Sequence, residues 1–252
     1  MVGRRRKFQG VINILSFNRH FYIWSTIVII ITLTVLYPID APNLYYWIIV
    51  AGFLYGICIP LIVSAYVYDL SGYYQLSWLD DLDLNYDKRL SLVNINAGFD
   101  EMSFLIKGHF NNSDLKVFDF YDSENHTEPA IVRARKVSKI YPGTLLIKSS
   151  NIPLPSNAVD FVFLIAAAHE IRSTSERIAF LKECKRICKP DGRIIVLEHL
   201  RDLPNFLAFT IGFTHFYSLK SWQHDFENAE LNVINHVKHT PFMSLFLLQP
   251  KT

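Results

Sequence analysis

Two dipeptides, His169-Glu170 and Glu198-His199, hold the residue types best suited to acid–base chemistry in this chain. Histidine titrates near neutral pH, and an adjacent carboxylate orients it and tunes its charge. Each pair directly follows an apolar run, residues 159–168 and 193–197 respectively. If both runs are parallel strands, the pairs lie beyond the strands' carboxyl ends, where α/β sheets bind ligands. They would then converge on one site as a general base for an oxygen or carbon acceptor. The plainer reading is of loop polars, or of histidines held by their neighbours. No metal is expected, because two His and two Glu here lack a tight ligand spacing.

The elements that must position these pairs are legible between residues 152 and 200. Residues 159–168 carry only Asp160 as a charge, which suits a strand buried on both faces. Ser173-Thr174-Ser175-Glu176 has the form of a helix-capping box. Ile178, Leu181, Cys184 and Cys188 follow at helical spacing, with charges between them. Pro190-Asp191-Gly192 reads as the helix stop and turn before the strand at 193–197. Strand, helix, strand in this order is a βαβ crossover within one parallel sheet. Upstream, 90–95 and 115–118 read as strands, 102–110 and 131–137 as helices, and 144–147 as a third strand. Downstream, 218–230 reads as a helix, and 231–237 with 242–248 as an antiparallel final pair.

The first quarter of the chain is of another kind. Half of the 252 residues are apolar, and the mean hydropathy is positive. Residues 21–39 hold no charge or histidine, and 41–68 hold no charge. Each is long enough to cross a bilayer. Tyr and Trp crowd the ends of both runs, as interfacial aromatics do. No small-residue cleavage site follows the first run, so a two-span hairpin is expected rather than a signal peptide. Arg4, Arg5, Arg6, Lys7 and Arg19 precede the first span, while the turn carries only Asp40. The positive-inside rule then places the N-terminus and the C-terminal domain in the cytoplasm, as in a bacterial inner-membrane protein. Asn111 and Asn125 stand in glycosylation patterns that would stay unmodified there. Residues 8–17 are apolar enough to lie along the interface. Gly52 and Gly56 form a GxxxG face whose use in dimerisation is open. The net charge of +2 is too small to argue for nucleic acid. Cys58, Cys184 and Cys188 read as small core residues in a reducing compartment.

The run from Ile152-Pro153-Leu154-Pro155 through Val159-Asp160, Leu181-Lys182-Glu183, Arg186, Lys189-Pro190 and Gly192-Arg193 resembles class I S-adenosylmethionine-dependent methyltransferases. Tyr68-Asp69, followed by Trp78, is similar to a box in the ubiquinone and menaquinone methyltransferases that helps cover the cofactor. The resemblance covers about residues 66–252. It implies a Rossmann-like α/β domain of seven strands, here preceded by a two-helix transmembrane hairpin. The expected division is 1–68 for the interfacial segment and spans, 69–89 for a linker and cofactor lid, acidic through Asp80, Asp81, Asp83 and Asp87, and 90–252 for the domain.

The resemblance also implies a cofactor, S-adenosyl-L-methionine, and its site. At the family's acid and three loop glycines this chain has Asn94, Asn96, Gly98 and Asp100, so only one glycine remains. Asn tolerates the left-handed conformation better than most residues, and Asp100 can cap the next helix or bond the cofactor's amino group. Asp119 stands where the family's acid takes the ribose hydroxyls, and Phe120 is placed to pack on the adenine. Ser149 or Asn151 would replace the aspartate that holds the adenine amine. Residues 203–217, apolar but broken, fall where the family inserts substrate-binding helices. The expected partners are the bilayer and a membrane lipid or quinone-like molecule as methyl acceptor. Two alternatives are other chemistry with the same cofactor, and a degenerate domain that binds lipid or a partner without catalysis.

Overall fold

The computed structural model describes residues 6–80, 82, 89–122, 124, 129–137 and 139–251. Arg4 and Arg5, the linker residues Asp81, Asp83 and Asp87, and the Asn125 glycosylation pattern lie outside them.

Three helices open the chain: α1 (Gln9–Phe17), α2 (Arg19–Leu36) and α3 (Asn43–Ser64). A π-helical turn, Ala65–Leu70, prolongs α3. Both α2 and the longer Asn43–Gln75 stretch are long and apolar enough to cross a membrane. Only 0% and 6% of their apolar windows are buried in the protein, whereas a core helix of that composition would be mostly buried. Gly52 and Gly56 face open space.

The domain follows as β1 (Leu90–Asn96), α4 (Ser103–His109), β2 (Ser113–Asp119), α5 (Pro129–Val137), β3 (Leu145–Leu146), β4 (Val159–Ile165), α6 (Thr174–Ile187), β5 (Cys188–His199), α7 (Leu203–Phe209), α8 (Leu219–Asn228), β6 (Leu231–Thr240) and β7 (Met243–Pro250). The seven strands form one sheet in the order β3-β2-β1-β4-β5-β7-β6. β1 to β5 pair in parallel, while β7 is antiparallel to β5 and β6. This is the expected seven-stranded Rossmann-like arrangement. All seven residues of β4 are buried, because both sheet faces are covered. Phe180, Leu181, Cys184 and Trp222 close one face. Trp78, Leu79, Met102 and Ile106 close the other.

The structure departs from expectation at two strand ends. No turn separates α6 from its following strand: Cys188 already pairs with Val159, and the next paired position is Arg193 with Phe161. Residues 189–192 therefore bulge out opposite Asp160. That buried carboxylate explains the bulge, for it accepts from Lys189 Nζ at 3.0 Å and from Ser91 N at 2.9 Å. At the other end, β4 stops at Ile165, where Ala166 takes φ +47, and a 3-10 turn follows at Ala168–Glu170.

α6 and α8 are pinned together behind the site. Arg177 Nε donates to Asp225 Oδ2 at 2.5 Å, with both side chains 1% exposed. Arg177 also donates to Ile171 O at 2.8 Å and lies 3.8 Å from the centroid of the Tyr217 ring. Removing one partner strands a buried charge, which costs about 3–5 kcal/mol. Asp225→Ala should lower stability by that amount in chemical denaturation of the detergent-solubilised protein. The double change Arg177→Met, Asp225→Leu should recover most of the loss, because a well-filled apolar pair replaces a buried ion pair at little cost.

Candidate active site

The four acid–base candidates converge as the topology requires. β4 and β5 are adjacent, and Ile165 pairs with Leu197. The turn after β4 therefore sets His169 beside Glu198. His169 Nδ1 lies 2.7 Å from Glu198 Oε2, and His169 Nε2 lies 3.3 Å from Glu170 Oε1. Burial opposes charge on this imidazole, but the Glu198 charge and the hydrogen bonds to both carboxylates outweigh it and hold its pKa well above the usual range. Burial likewise works against the Glu170 carboxylate, yet hydrogen bonds from His169 and His215 keep it far below the usual range. His169 is thus an imidazolium clamped between two carboxylates, and it has no lone pair to offer as a base.

His199 is its counterpart. Nδ1 faces Asn205 Oδ1 at 3.1 Å and Phe242 O at 2.9 Å, so that nitrogen carries the proton. Nε2 then accepts from the Tyr68 hydroxyl at 3.0 Å. Burial, assisted by the His169 charge and resisted by the Asn205 hydrogen bond, pushes its pKa down to about 4. His199 is the neutral member of the set and the better general base. Phe216 stacks on its ring at 4.7 Å, and Phe209 meets it edge-on at 5.4 Å.

Arg172 and His215 complete the cluster and carry no motif by which sequence reasoning could find them. Arg172 Nη2 lies 2.6 Å from His215 Nδ1, and His215 Nε2 lies 3.6 Å from Glu170 Oε1. The ligand atoms of His169, Glu170 and His215 lie within 4.8 Å of one another, a spacing that would suit a metal ion. The protonation pattern argues otherwise. A guanidinium can only donate, so His215 Nδ1 is an acceptor and its Nε2 bears the proton aimed at Glu170.

At the cofactor end, Asn96 makes the turn that a glycine would make. Its Nδ2 donates to Phe118 O at 3.1 Å, and its Oδ1 accepts from Gly98 N at 3.1 Å. Gly98 has φ +90, which a side chain rarely adopts. Asp100 caps α4, accepting from Met102 N at 3.0 Å and Ser103 N at 2.9 Å. Its burial, against those hydrogen bonds, raises its pKa. Asn94 donates to Ser103 Oγ at 2.8 Å. Asp119 ends β2 as expected, but Arg135 Nη1 holds its Oδ2 at 2.8 Å and Tyr121 N its Oδ1 at 2.8 Å. Arg135 also stacks over Tyr121 at 4.0 Å. Phe120 sits in the core against Phe180, so its ring faces inward rather than into the cleft. Ser149 donates to Glu176 at 2.6 Å, and Asn151 bridges to Lys148.

The Tyr68-Asp69 box is divided between two tasks. Tyr68 joins His199. Asp69 turns away and caps α1, accepting from Gly10 N at 2.8 Å and Val11 N at 3.0 Å. A Cβ on Gly10 would lie 2.5 Å from Tyr68 Cβ, so only glycine permits this approach. α1 therefore reaches the cofactor loop, through Asn13 to Glu101 at 3.1 Å and Phe17 against Phe99 at 5.3 Å. α1 thus packs onto the domain.

Residues 124–196 match a family model described as a methyltransferase domain. The activity this match supports is methyl transfer, with S-adenosylmethionine as the cofactor. Among solved structures, PH0226 from Pyrococcus horikoshii is 15% identical, with 70% of this chain and 90% of that one covered at a TM-score of 0.51. The (4+2)-cyclase SpnF is 12% identical, with 73% and 83% covered at 0.50. A SAM-dependent methyltransferase from Aquifex aeolicus is 19% identical, with 69% and 92% covered at 0.47. The two likenesses at 0.50 or above bear on the fold alone. No curated protein matches the chain.

The residues fit the cofactor after one rearrangement. The Gly98 turn is made, and the Cβ position there lies 2.7 Å from Arg135 Nη1 and 2.9 Å from Tyr121 Cδ2, so both side chains fill the cradle. Arg135 is 31% exposed, and so open an ion pair is worth about 0–1 kcal/mol, a cost that ligand binding easily offsets. Arg135→Ala should therefore tighten S-adenosylmethionine binding, by up to about fivefold, in calorimetry on the full-length protein. Unchanged or weaker binding would show that Arg135 does not compete for Asp119.

The two histidines also set a pH optimum for stability. His199 has a depressed pKa, so the unfolded chain binds more protons between about pH 6.5 and 4, and stability falls as pH falls through that window, by on the order of 3 kcal/mol. His169 has a raised pKa, so its contribution is fully present below about pH 6.5 and is lost as pH rises through its folded value. Denaturation midpoints should peak between the two limbs. His199→Phe should flatten the acid limb above the carboxylate range, and His169→Gln the alkaline one.

Proposed function

We propose that this protein is an S-adenosylmethionine-dependent methyltransferase held in the membrane by the α2–α3 hairpin, with a lipid-soluble acceptor such as a quinone, an isoprenoid or a lipid headgroup. The observation that carries this reading is the hydrogen bond from Tyr68 to His199, because Tyr68 belongs to the helical prolongation of α3. A detachable anchor would not contribute a side chain to the acid–base set. The aromatic wall of Phe209 and Phe216 suits an amphiphile whose polar head reaches His199 while its tail stays in lipid. By the positive-inside argument, the N-terminus and the domain are cytoplasmic.

Bound S-adenosylmethionine supplies an electrophilic methyl group on a sulfonium sulfur. Asn96, Gly98, Asp100 and Asp119 would hold it across the carboxyl ends of β1 and β2. His199 Nε2 takes the proton that the acceptor oxygen or carbon gives up. In doing so it exchanges its hydrogen bond from Tyr68 for one from the acceptor. The His169–Glu198–Glu170 cluster, one imidazolium between two carboxylates, keeps a net negative charge beside it and orients the acceptor's polar head.

Full-length protein in proteoliposomes, given methyl-labelled cofactor, should place the label in the lipid extract. His199→Gln should cut that rate by about 10²–10⁴ with cofactor binding unchanged, as loss of a general base does. Label found solely in water-soluble product would overturn the lipid acceptor. Cofactor turnover without methyl transfer would point instead to other chemistry on this fold.

A further inference from the structure

Residues 201–216 leave the domain and return to it through one neck. Arg201 N donates to Tyr217 O at 2.8 Å, and Leu200 bridges to Tyr217. Beyond the neck the excursion consists of α7 and a 3-10 segment, Thr210–His215. Arg201 and Asp202 stand at its start and His215 at its end, and nothing between them is charged.

The excursion has two unlike sides. Inward, Phe209 and Phe216 flank His199, and His215 reaches Glu170. Outward, Leu203, Phe206, Leu207 and Ile211 are 67%, 47%, 50% and 81% exposed. The first three recur at i, i+3 and i+4, so they share one helix face. A contiguous apolar surface of this kind marks a partner or a membrane.

The position of α7 on α3 decides which. The Tyr55 hydroxyl donates to Leu207 O at 2.5 Å. Tyr55 lies nine residues before Ser64, which at 1.5 Å per residue is about 14 Å along the axis. From Tyr55 towards the domain, Ile62, Tyr66 and Leu70 are still exposed apolar side chains. α7 is therefore seated beside the middle of the apolar helix, not beside its end. The charged neck fits the headgroup level, where Lys238 pairs with Asp202 at 2.6 Å. Thr210, at φ +50 and ψ −125, takes a conformation strained for a β-branched residue. It turns the chain between α7 and the returning segment.

We infer that α7 and the Thr210–His215 segment are embedded in the cytoplasmic leaflet, with lipid acyl chains as the partner of their outward face. The inference rests on the reading of α2 and α3 as spans. Its consequence is that an acceptor reaches His199 laterally, passing from the leaflet between α7 and α3 without crossing water.

Spin-label accessibility in phosphatidylcholine nanodiscs tests this on the full-length protein. Cys58→Ser leaves Cys184 and Cys188, both buried. Nitroxides are then attached, in separate proteins, at Ile211→Cys, at Ile48→Cys in α3, and at Leu146→Cys on the exposed β3 edge. The ratio of collisions with oxygen, which partitions into lipid, to those with a water-soluble nickel chelate should be several-fold higher at 211 than at 146, and close to that at 48. A ratio at 211 equal to that at 146, with 48 still high, overturns the insertion and leaves the spans standing. Low ratios at both 48 and 211 overturn the spanning reading as well.

Discussion

The buried contact between His169 and Glu198 is the constraint around which this site is arranged. It joins the ends of two neighbouring parallel strands, and it exists only because β4 and β5 are in the observed register. A carboxylate 1% exposed requires a positive partner, and the imidazolium that supplies it requires a second acceptor at its other nitrogen. Glu170 provides that acceptor, His215 Nε2 faces Glu170 at 3.6 Å, and Arg172 donates to His215. The chain of alternating donors and acceptors thus reaches from the middle of the sheet to the returning limb of the α7 excursion. The cluster also has an effect outside itself, since the His169 charge helps to keep His199 neutral. Two histidines with pKa values pushed in opposite directions are the pattern by which one site divides acid from base work.

The cofactor loop shows how far a glycine-rich turn can be altered and still be built. What the turn requires is one left-handed position and an acceptor for the following N–H. Gly98 supplies the first and the Asn96 side chain the second. Asn94 replaces a carboxylate without leaving a charge unpaired beside Asp100, whose own pKa burial already raises. A second carboxylate at position 94 would add charge repulsion to that desolvation, so the amide is compatible with Asp100 as the α4 cap.

Periodicity and turn residues make the strand order and the convergence of His169 with Glu198 legible in the amino-acid sequence. Parallel crossovers have one hand, and buried strands read as unbroken apolar runs. The roles within the site are not legible there, because four adjacent-looking polar residues differ only in their three-dimensional partners. Nothing local marks His199 as neutral; its burial and the His169 charge do that, while Asn205, Phe242 and Tyr68, from three separate elements, fix which nitrogen carries the proton. Arg172, His215 and Arg135 escape sequence reasoning for the same reason. The bulge at 189–192 looks like a turn in sequence, since Pro-Asp-Gly signals a reversal and Asp160 gives no hint that it is paired across strands. Phe120 looks like a cleft residue because strand-end residues usually line the cleft, but just past β2 it packs into the core against Phe180.

The rigidity of the junction distinguishes this architecture from a domain on a tether. A flexible linker would let the domain sample many distances from its anchor. Here α3 runs without a break into Tyr68, and the next residue, Asp69, caps α1 with both carboxylate oxygens. α1 in turn touches the β1–α4 loop through Asn13 and Phe17, and α5 through Arg133, which donates to Phe17 O and contacts His20. α5 carries Arg135, which holds Asp119. The hairpin is therefore coupled to both walls of the cofactor cleft and, through Tyr68, to His199. On the membrane reading proposed above, the bilayer fixes the hairpin's depth and tilt. Through these few contacts it then also fixes where the cleft and the base stand relative to the leaflet, which is what a reaction on a half-extracted lipid would demand.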